Sequence, residues 1–165
     1  MKKSLYILTV LVFFASCKSS SLVTRSSADS KKENSNQIID KIIRSASENI
    51  GIRYKTAGTT KTGYDCSGLV YSTFGLYDIN LPRSSYEQSK IGTELGQNLK
   101  KAKKGDLIFF KTNRRSQINH VGIITEVEND DIKFIHASTS KGVIVSSMRE
   151  SYYQSTFVQV NRVLK

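Results

Sequence analysis

The stretch GYDCSGLV, residues 63–70, sets a cysteine directly after an acid and ahead of a Ser-Gly step, at the point where an apolar run begins. Asp65 reads as a helix cap and Cys66 as the first helical residue. Leu69, Val70, Thr73 and Phe74 then form the inward face of a helix running to about Phe74. A helix N-terminus offers a thiol both a dipole and free backbone N–H groups, which stabilise the thiolate. Cys66 is therefore a candidate nucleophile.

A thiol nucleophile needs a base, and the chain holds two histidines, His120 in INHVGII and His136 in FIHAS. Both fall in segments that read as strands. Cys66 precedes His120 by 54 residues and His136 follows 16 later, separations that let adjacent strands present both imidazoles to the helix start. Nucleophile on a helix tip, base on one strand and orienting group on the next are the parts of a thiol-peptidase triad. Other readings of the same residues remain. A lone cysteine or strand histidine is often structural. Cys66, His120, His136 and Asp65 are also zinc-ligand types, although no close pair such as C-x-x-C is present, and Ser67 is a hydroxyl without a base of its own.

Outward from this centre, Ile38, Ile39, Ile42, Ile43, Ala46 and Ile50 recur at helical spacing, with Asn36 as cap and Gly51 just past the end. Ser84 and Glu87 form a capping box for a short helix ending near Gly92. After Gly105 the texture changes: DLIFFK, NHVGIITEVE, DIKFIHAS, GVIVSS and FVQVNRVL are short, rich in β-branched and aromatic residues, and separated by turn material. Helices followed by a run of strands argue an α+β domain with an antiparallel sheet over residues 37–165.

The N-terminal end differs. MKKSLYILTVLVFFASC has two lysines, an uncharged run and small residues before Cys17, the order of a secretory signal peptide over residues 1–16. Ending in F-A-S-C, it resembles a bacterial lipobox, which implies a lipid on Cys17 and a membrane anchor. The alternative is an ordinary secretion signal. Residues 18–36, rich in Ser, Lys and Asn, read as a disordered tether with a coil span of about 24 Å. No interior run reaches the roughly 18 apolar residues of a membrane span, so the folded part is expected to be soluble. The formal charge is +11, or +9 without Lys2 and Lys3. For an exported protein this points to cell wall or headgroups rather than nucleic acid, or simply to a solvated lysine-rich surface.

The strings Y-D-C-S-G-L-V, L-P-R-S-S-Y-E-Q, K-K-G-D-L-I-F-F, N-H-V-G-I-I and F-I-H-A-S-T-S-K-G-V, in this order across residues 38–163, resemble the NlpC/p60 papain-like cell-wall peptidases. The resemblance implies a papain-like core, activity on peptidoglycan stem peptides, and Cys66 as nucleophile, His120 as base and His136 as the orienting third residue. It places Tyr54 near the thiol as an oxyanion donor, although Arg53 precedes it and Ala57-Gly58 stands where the family has a glycine pair. It also sets Asp65, Ser67, Arg83 and Ser84 at the cleft as substrate contacts; helix capping by Asp65 and ion pairing by Arg83 are the structural alternatives. The block after His136 looks most like enterobacterial lipoprotein murein endopeptidases, which implies cleavage of the D-alanine to meso-diaminopimelate cross-link. The γ-D-glutamyl to diaminopimelate bond and a catalytically silent wall-binding lipoprotein are the alternatives. A monomer without metal or cofactor, on the periplasmic face of the outer membrane, completes the expectation.

Overall fold

The computed structural model describes residues 27–113, 117–129 and 131–164, with the side chains of 27–33 set aside. The expected leader, Cys17 and residues 18–26 of the expected tether lie outside the described residues, as do residues 114–116.

The first helix, α1, spans Ser27–Ser47. Helix therefore already covers residues 27–36, ahead of the expected helix start, and Asn36 lies inside the helix rather than at its cap. The stretch SADSKKENSN lacks glycine and proline and includes Ala, Lys and Glu, which lose little freedom in a helix. Its polarity removes a face to bury, yet extending a helix that is already packed requires no new nucleus. Ile42 and Ala46 are fully buried, with Ile38, Ile39 and Ile43 half-buried beside them. Ile50 departs from the expected face. Beyond Ser47 the turns tighten to i→i+3 bonds, Ile50 N–H donating to Ser47 O, and Ile50 is 53% exposed.

A small hairpin, β1 (Thr59–Thr60) and β2 (Gly63–Tyr64), leads into α2 (Cys66–Gly75). The next helix, α3 (Ser85–Gln88), is shorter than expected. Ser84 Oγ accepts from Glu87 N–H, but the Glu87 carboxylate pairs with Lys90 instead of closing the box. Then follow β3 (Thr93–Gly96), a 3-10 turn at Leu99–Lys101, β4 (Leu107–Phe110), β5 (His120–Glu128), β6 (Asp131–Ser138), β7 (Gly142–Ser147), α4 (Ser151–Thr156) and β8 (Phe157–Arg162).

Six strands form one antiparallel sheet in the order β3-β8-β4-β5-β6-β7. The fold is α+β. Alternate residues supply two cores on opposite faces. Leu107, Phe109, Val121, Ile123, Ile135, Ala137 and Val143 pack with Leu69, Val70 and Phe74 of α2 and Ile42 of α1. Ile108, Phe110, Ile124, Phe134 and Val160 pack with Met148 and with Tyr153 of α4. Phe74, Phe109, Phe110 and Phe134 are all fully buried, each contributing about 1.5–3 kcal/mol of transfer free energy. Among the described residues no helix is long and apolar enough to cross a membrane.

At the β7 edge the segment after α1 is clamped to the sheet: Gly51 N–H donates to Val143 O and Val143 N–H to Ile52 O. Gly142 has φ +73°, and a Cβ there would run into the Ile52 carbonyl oxygen. This clamp sets the direction in which residues 53–64 approach α2.

Candidate active site

Asp65 is extended (φ −94°), and its Oδ1 accepts from Gly68 N–H at 2.7 Å, capping α2 so that Cys66 opens the first turn. The thiol lies over the start of β5. Its Sγ donates to Asn119 O at 3.7 Å, and the N–H of Val121 points at the sulfur together with those of Ser67 and Cys66 itself. His120 sits between Asn119 and Val121, at the loop end of the β4–β5 hairpin, where it pairs with Phe110. The carbonyl of Asn119 is held in place by its side chain, which accepts from Thr112 N–H at 2.8 Å and donates to Thr112 Oγ1 at 2.9 Å.

The two imidazoles meet. His120 Nε2 is 2.9 Å from His136 Nδ1, with the rings at 83° to each other and their centroids 4.9 Å apart. This leaves Nδ1 of His120 as the nitrogen outside the pair. His136 is 1% exposed, and its Nε2 lies 3.1 Å from both Ser146 Oγ and Tyr153 Oη. His120 as a residue is half-buried.

Burial governs the protonation states. It pushes the Cys66 thiol up to about 11, with the charge of Asp65 acting in the same direction and the three N–H groups opposing. It lowers His120 to about 4, and it lowers His136 to about 3 with help from the charge of His120. Near neutral pH the site rests as a neutral thiol beside neutral imidazoles.

The remaining residues singled out in the sequence fall in three places. Tyr54 stands beside the cleft, held by its bridge to Tyr64, the residue two before Cys66. Burial, then the charges of Cys66 and Asp65, raise its hydroxyl, and Arg83 acts against them. Arg83 grips Asp65 with two bonds, Nη1 to Oδ1 at 3.0 Å and Nη2 to Oδ2 at 2.7 Å, and Nη1 also donates to Ser67 Oγ at 2.9 Å. Ser67 donates in turn to Asp65 Oδ1 at 3.3 Å. Asp65 is thus directed at Arg83, Ser67 and Gly68 rather than at the imidazoles, an arrangement that suits neither the zinc reading nor a Ser67 nucleophile. Ser84 caps α3 and takes no part in these bonds.

Five residues of the site have no role assigned from the sequence. Tyr153 and Ser146 back His136, and Asn119 and Thr112 hold the backbone under the thiol. Gln88, fully buried, donates to Ser67 O at 3.1 Å and Pro82 O at 2.8 Å and so ties the Arg83 loop to α2. Two surface concavities, one lined by Ile39, Lys104 and Arg162 and the other by Leu99, Met148 and Phe157, include none of Cys66, His120 and His136.

Comparison with known proteins agrees with this architecture. The profile of the NlpC/P60 family matches residues 51–162. The chain is 42% identical over 127 residues to a probable endopeptidase NlpC homolog of Haemophilus influenzae, covering 76% of this chain and 63% of the relative. It is 42% identical over 115 residues to the murein DD-endopeptidase MepS/murein LD-carboxypeptidase of Escherichia coli K12, covering 69% of this chain and 57% of the relative. The match thus spans about three fifths of the length of these relatives. A crystal structure of an NlpC/P60 family protein from Bacillus cereus superposes with a TM-score of 0.68 at 26% identity, over 77% of this chain and 40% of that one. With a thiol at a helix start, paired imidazoles on neighbouring strands, and matches across most of the folded part, the chain belongs to the NlpC/P60 family.

Proposed function

We propose that the chain is a peptidoglycan endopeptidase that hydrolyses stem-peptide amide bonds by a Cys-His-His thiol mechanism. The observation that carries this is the juxtaposition at the tip of α2: Cys66 against the backbone that flanks His120, and His120 2.9 Å from His136. With the thiol near 11 and the imidazole near 4, the resting pair is neutral, so the proton leaves the thiol as the thiol attacks the carbonyl. Nδ1 of His120 receives it. Backbone N–H groups at the helix start, joined by the Tyr54 hydroxyl, hold the oxyanion. His120 then protonates the leaving amine, and water hydrolyses the thioester with His120 again as base.

The favoured bond is the D-alanine to meso-diaminopimelate cross-link, a reading supported by the DD-endopeptidase name of the Escherichia coli relative. Cys17 carries the lipid, and the enzyme works as a monomer on the periplasmic face of the outer membrane. The test is digestion of cross-linked muropeptide dimers and uncross-linked tetrapeptides by the full chain and by Cys66→Ala, with products weighed by mass spectrometry. Dimers converted to monomers by the intact chain alone is the expected result. Cleavage within monomer stems would move the cut to the γ-D-glutamyl bond, and digestion by Cys66→Ala would end the thiol mechanism. Palmitate labelling that survives Cys17→Ala would overturn Cys17 as the lipid-bearing residue.

A further inference from the structure

Behind His136 lies a closed triangle of polar atoms that the proposed chemistry does not yet use. His136 Nε2 is 3.1 Å from Tyr153 Oη and 3.1 Å from Ser146 Oγ, and the two hydroxyls are 3.5 Å apart. All three residues are buried, at 1%, 7% and 6% exposed. Phe134 and Phe110 stack around the Tyr153 ring at centroid distances of 4.9 and 5.4 Å.

A neutral imidazole has one N–H and one lone pair, so each choice along a chain of contacts dictates the next. For His120 to receive a proton at Nδ1, its own proton must sit on Nε2. That N–H must donate to Nδ1 of His136, whose proton must therefore sit on Nε2. In a buried place this last N–H needs an oxygen, and the oxygens within reach are those of Tyr153 and Ser146. The reverse polarity, with a hydroxyl donating to Nε2 of His136, would place protons on Nδ1 of both rings. His120 would then have no lone pair for the thiol.

We propose that Tyr153 and Ser146 are positioning residues that accept the Nε2–H of His136 and thereby hold both histidines in the tautomer in which Nδ1 of His120 faces Cys66 unprotonated. Neither touches the reacting atoms. Two hydroxyls on one N–H make the arrangement redundant, so either alone supports it in part. The inference rests on the proposed thiol mechanism, but its first test does not.

That test is 15N NMR of the full chain labelled at histidine, which reports the protonated nitrogen of each ring directly. The expected spectrum has both rings protonated on Nε2. A His136 ring protonated on Nδ1 overturns the proposal, whether or not the chain digests peptidoglycan. The second test is kinetic, with muropeptide substrate. Tyr153→Phe combined with Ser146→Ala should lower kcat by about tenfold to a hundredfold, with KM within about twofold, and restoring either hydroxyl should recover most of the loss. A doubly substituted protein that folds and keeps kcat within about twofold of the original also overturns it. Should that variant fail to fold, the spectrum of the unmodified chain decides.

Discussion

Lowering the pH from 7 to 5 should destabilise this protein through two side chains alone. His120 and His136 are the chain's only histidines, and burial holds them at about 4 and about 3, below their ordinary 6.5. Their folded values are depressed, so the unfolded chain binds protons that the native state excludes. Stability is therefore greatest above pH 6.5 and is lost as the pH falls toward 4. Over the interval from pH 7 to 5 an unfolded histidine takes up most of a proton, a difference of about 2 kcal/mol, so the pair removes up to about 4 kcal/mol. Against a total stability of about 5–15 kcal/mol this is a large fraction. Ordinary carboxylates, with values near 4, stay ionised over most of this window. The chain has no tryptophan, so urea unfolding would be followed by far-UV circular dichroism or tyrosine fluorescence. With an m-value of about 1.5–2 kcal/mol/M, the midpoint should fall by about 2 M urea between pH 7 and 5. His136→Asn should show about half the shift. A midpoint that moves by less than about 0.5 M would refute the reasoning, because it would mean the imidazoles are not held neutral by the fold.

Cys66→Ala should abolish muropeptide cleavage, a loss of at least about a thousandfold, with little change in melting temperature. Arg162 binds the buried Asp106 through Nε at 2.9 Å and Nη2 at 2.8 Å, so Arg162→Ala should cost about 3–5 kcal/mol in urea unfolding, and the further change Asp106→Asn should return part of it. Arg83→Lys keeps the charge beside Asp65 but loses the forked grip and the bond to Ser67. It should lower stability by about 1–2 kcal/mol in thermal unfolding, and an unchanged melting curve would count against the Asp65–Arg83 pair as a structural element. Ala57 has φ +59°, where a side chain is strained, so Ala57→Gly should raise stability by about 0.5–1 kcal/mol in the same assay.

Much of this was legible before any coordinates, for physical reasons that differ by element. The strands β4 to β8 alternate or run apolar where both faces are covered, and their side chains announce it. Asp65-Cys66 reads as a helix start because an acid there has a local partner, the Gly68 N–H. The meeting of His120 and His136 follows from hairpin register, since both lie on paired neighbouring strands. Tyr153 is different. Its segment, SYYQST, is polar and has no helical stripe, and α4 gains its role only once the chain brings it across to the far side of His136. The early start of α1 is not legible in composition, because helix there depends on continuation from a packed segment, whereas composition reports only what could be buried. Asp65 and Arg83 lie 18 residues apart with both contact and pairing plausible, and only geometry decides that the carboxylate is already taken.

The clamp on β7 bears on how this protein meets other chains. Register directs the outward backbone groups of that edge strand to Val143, Val145 and Ser147. Gly51 and Ile52 occupy Val143, and the Ser147 N–H is bound by the Glu150 carboxylate at 2.9 Å. Among the described residues this leaves a single open rung at Val145. A foreign strand adds to a sheet by zipping along several consecutive rungs, and one rung gives it too little to hold. This edge of the sheet is thus a poor template for growth, and self-association through strand addition here would first require the segment after α1 to peel away.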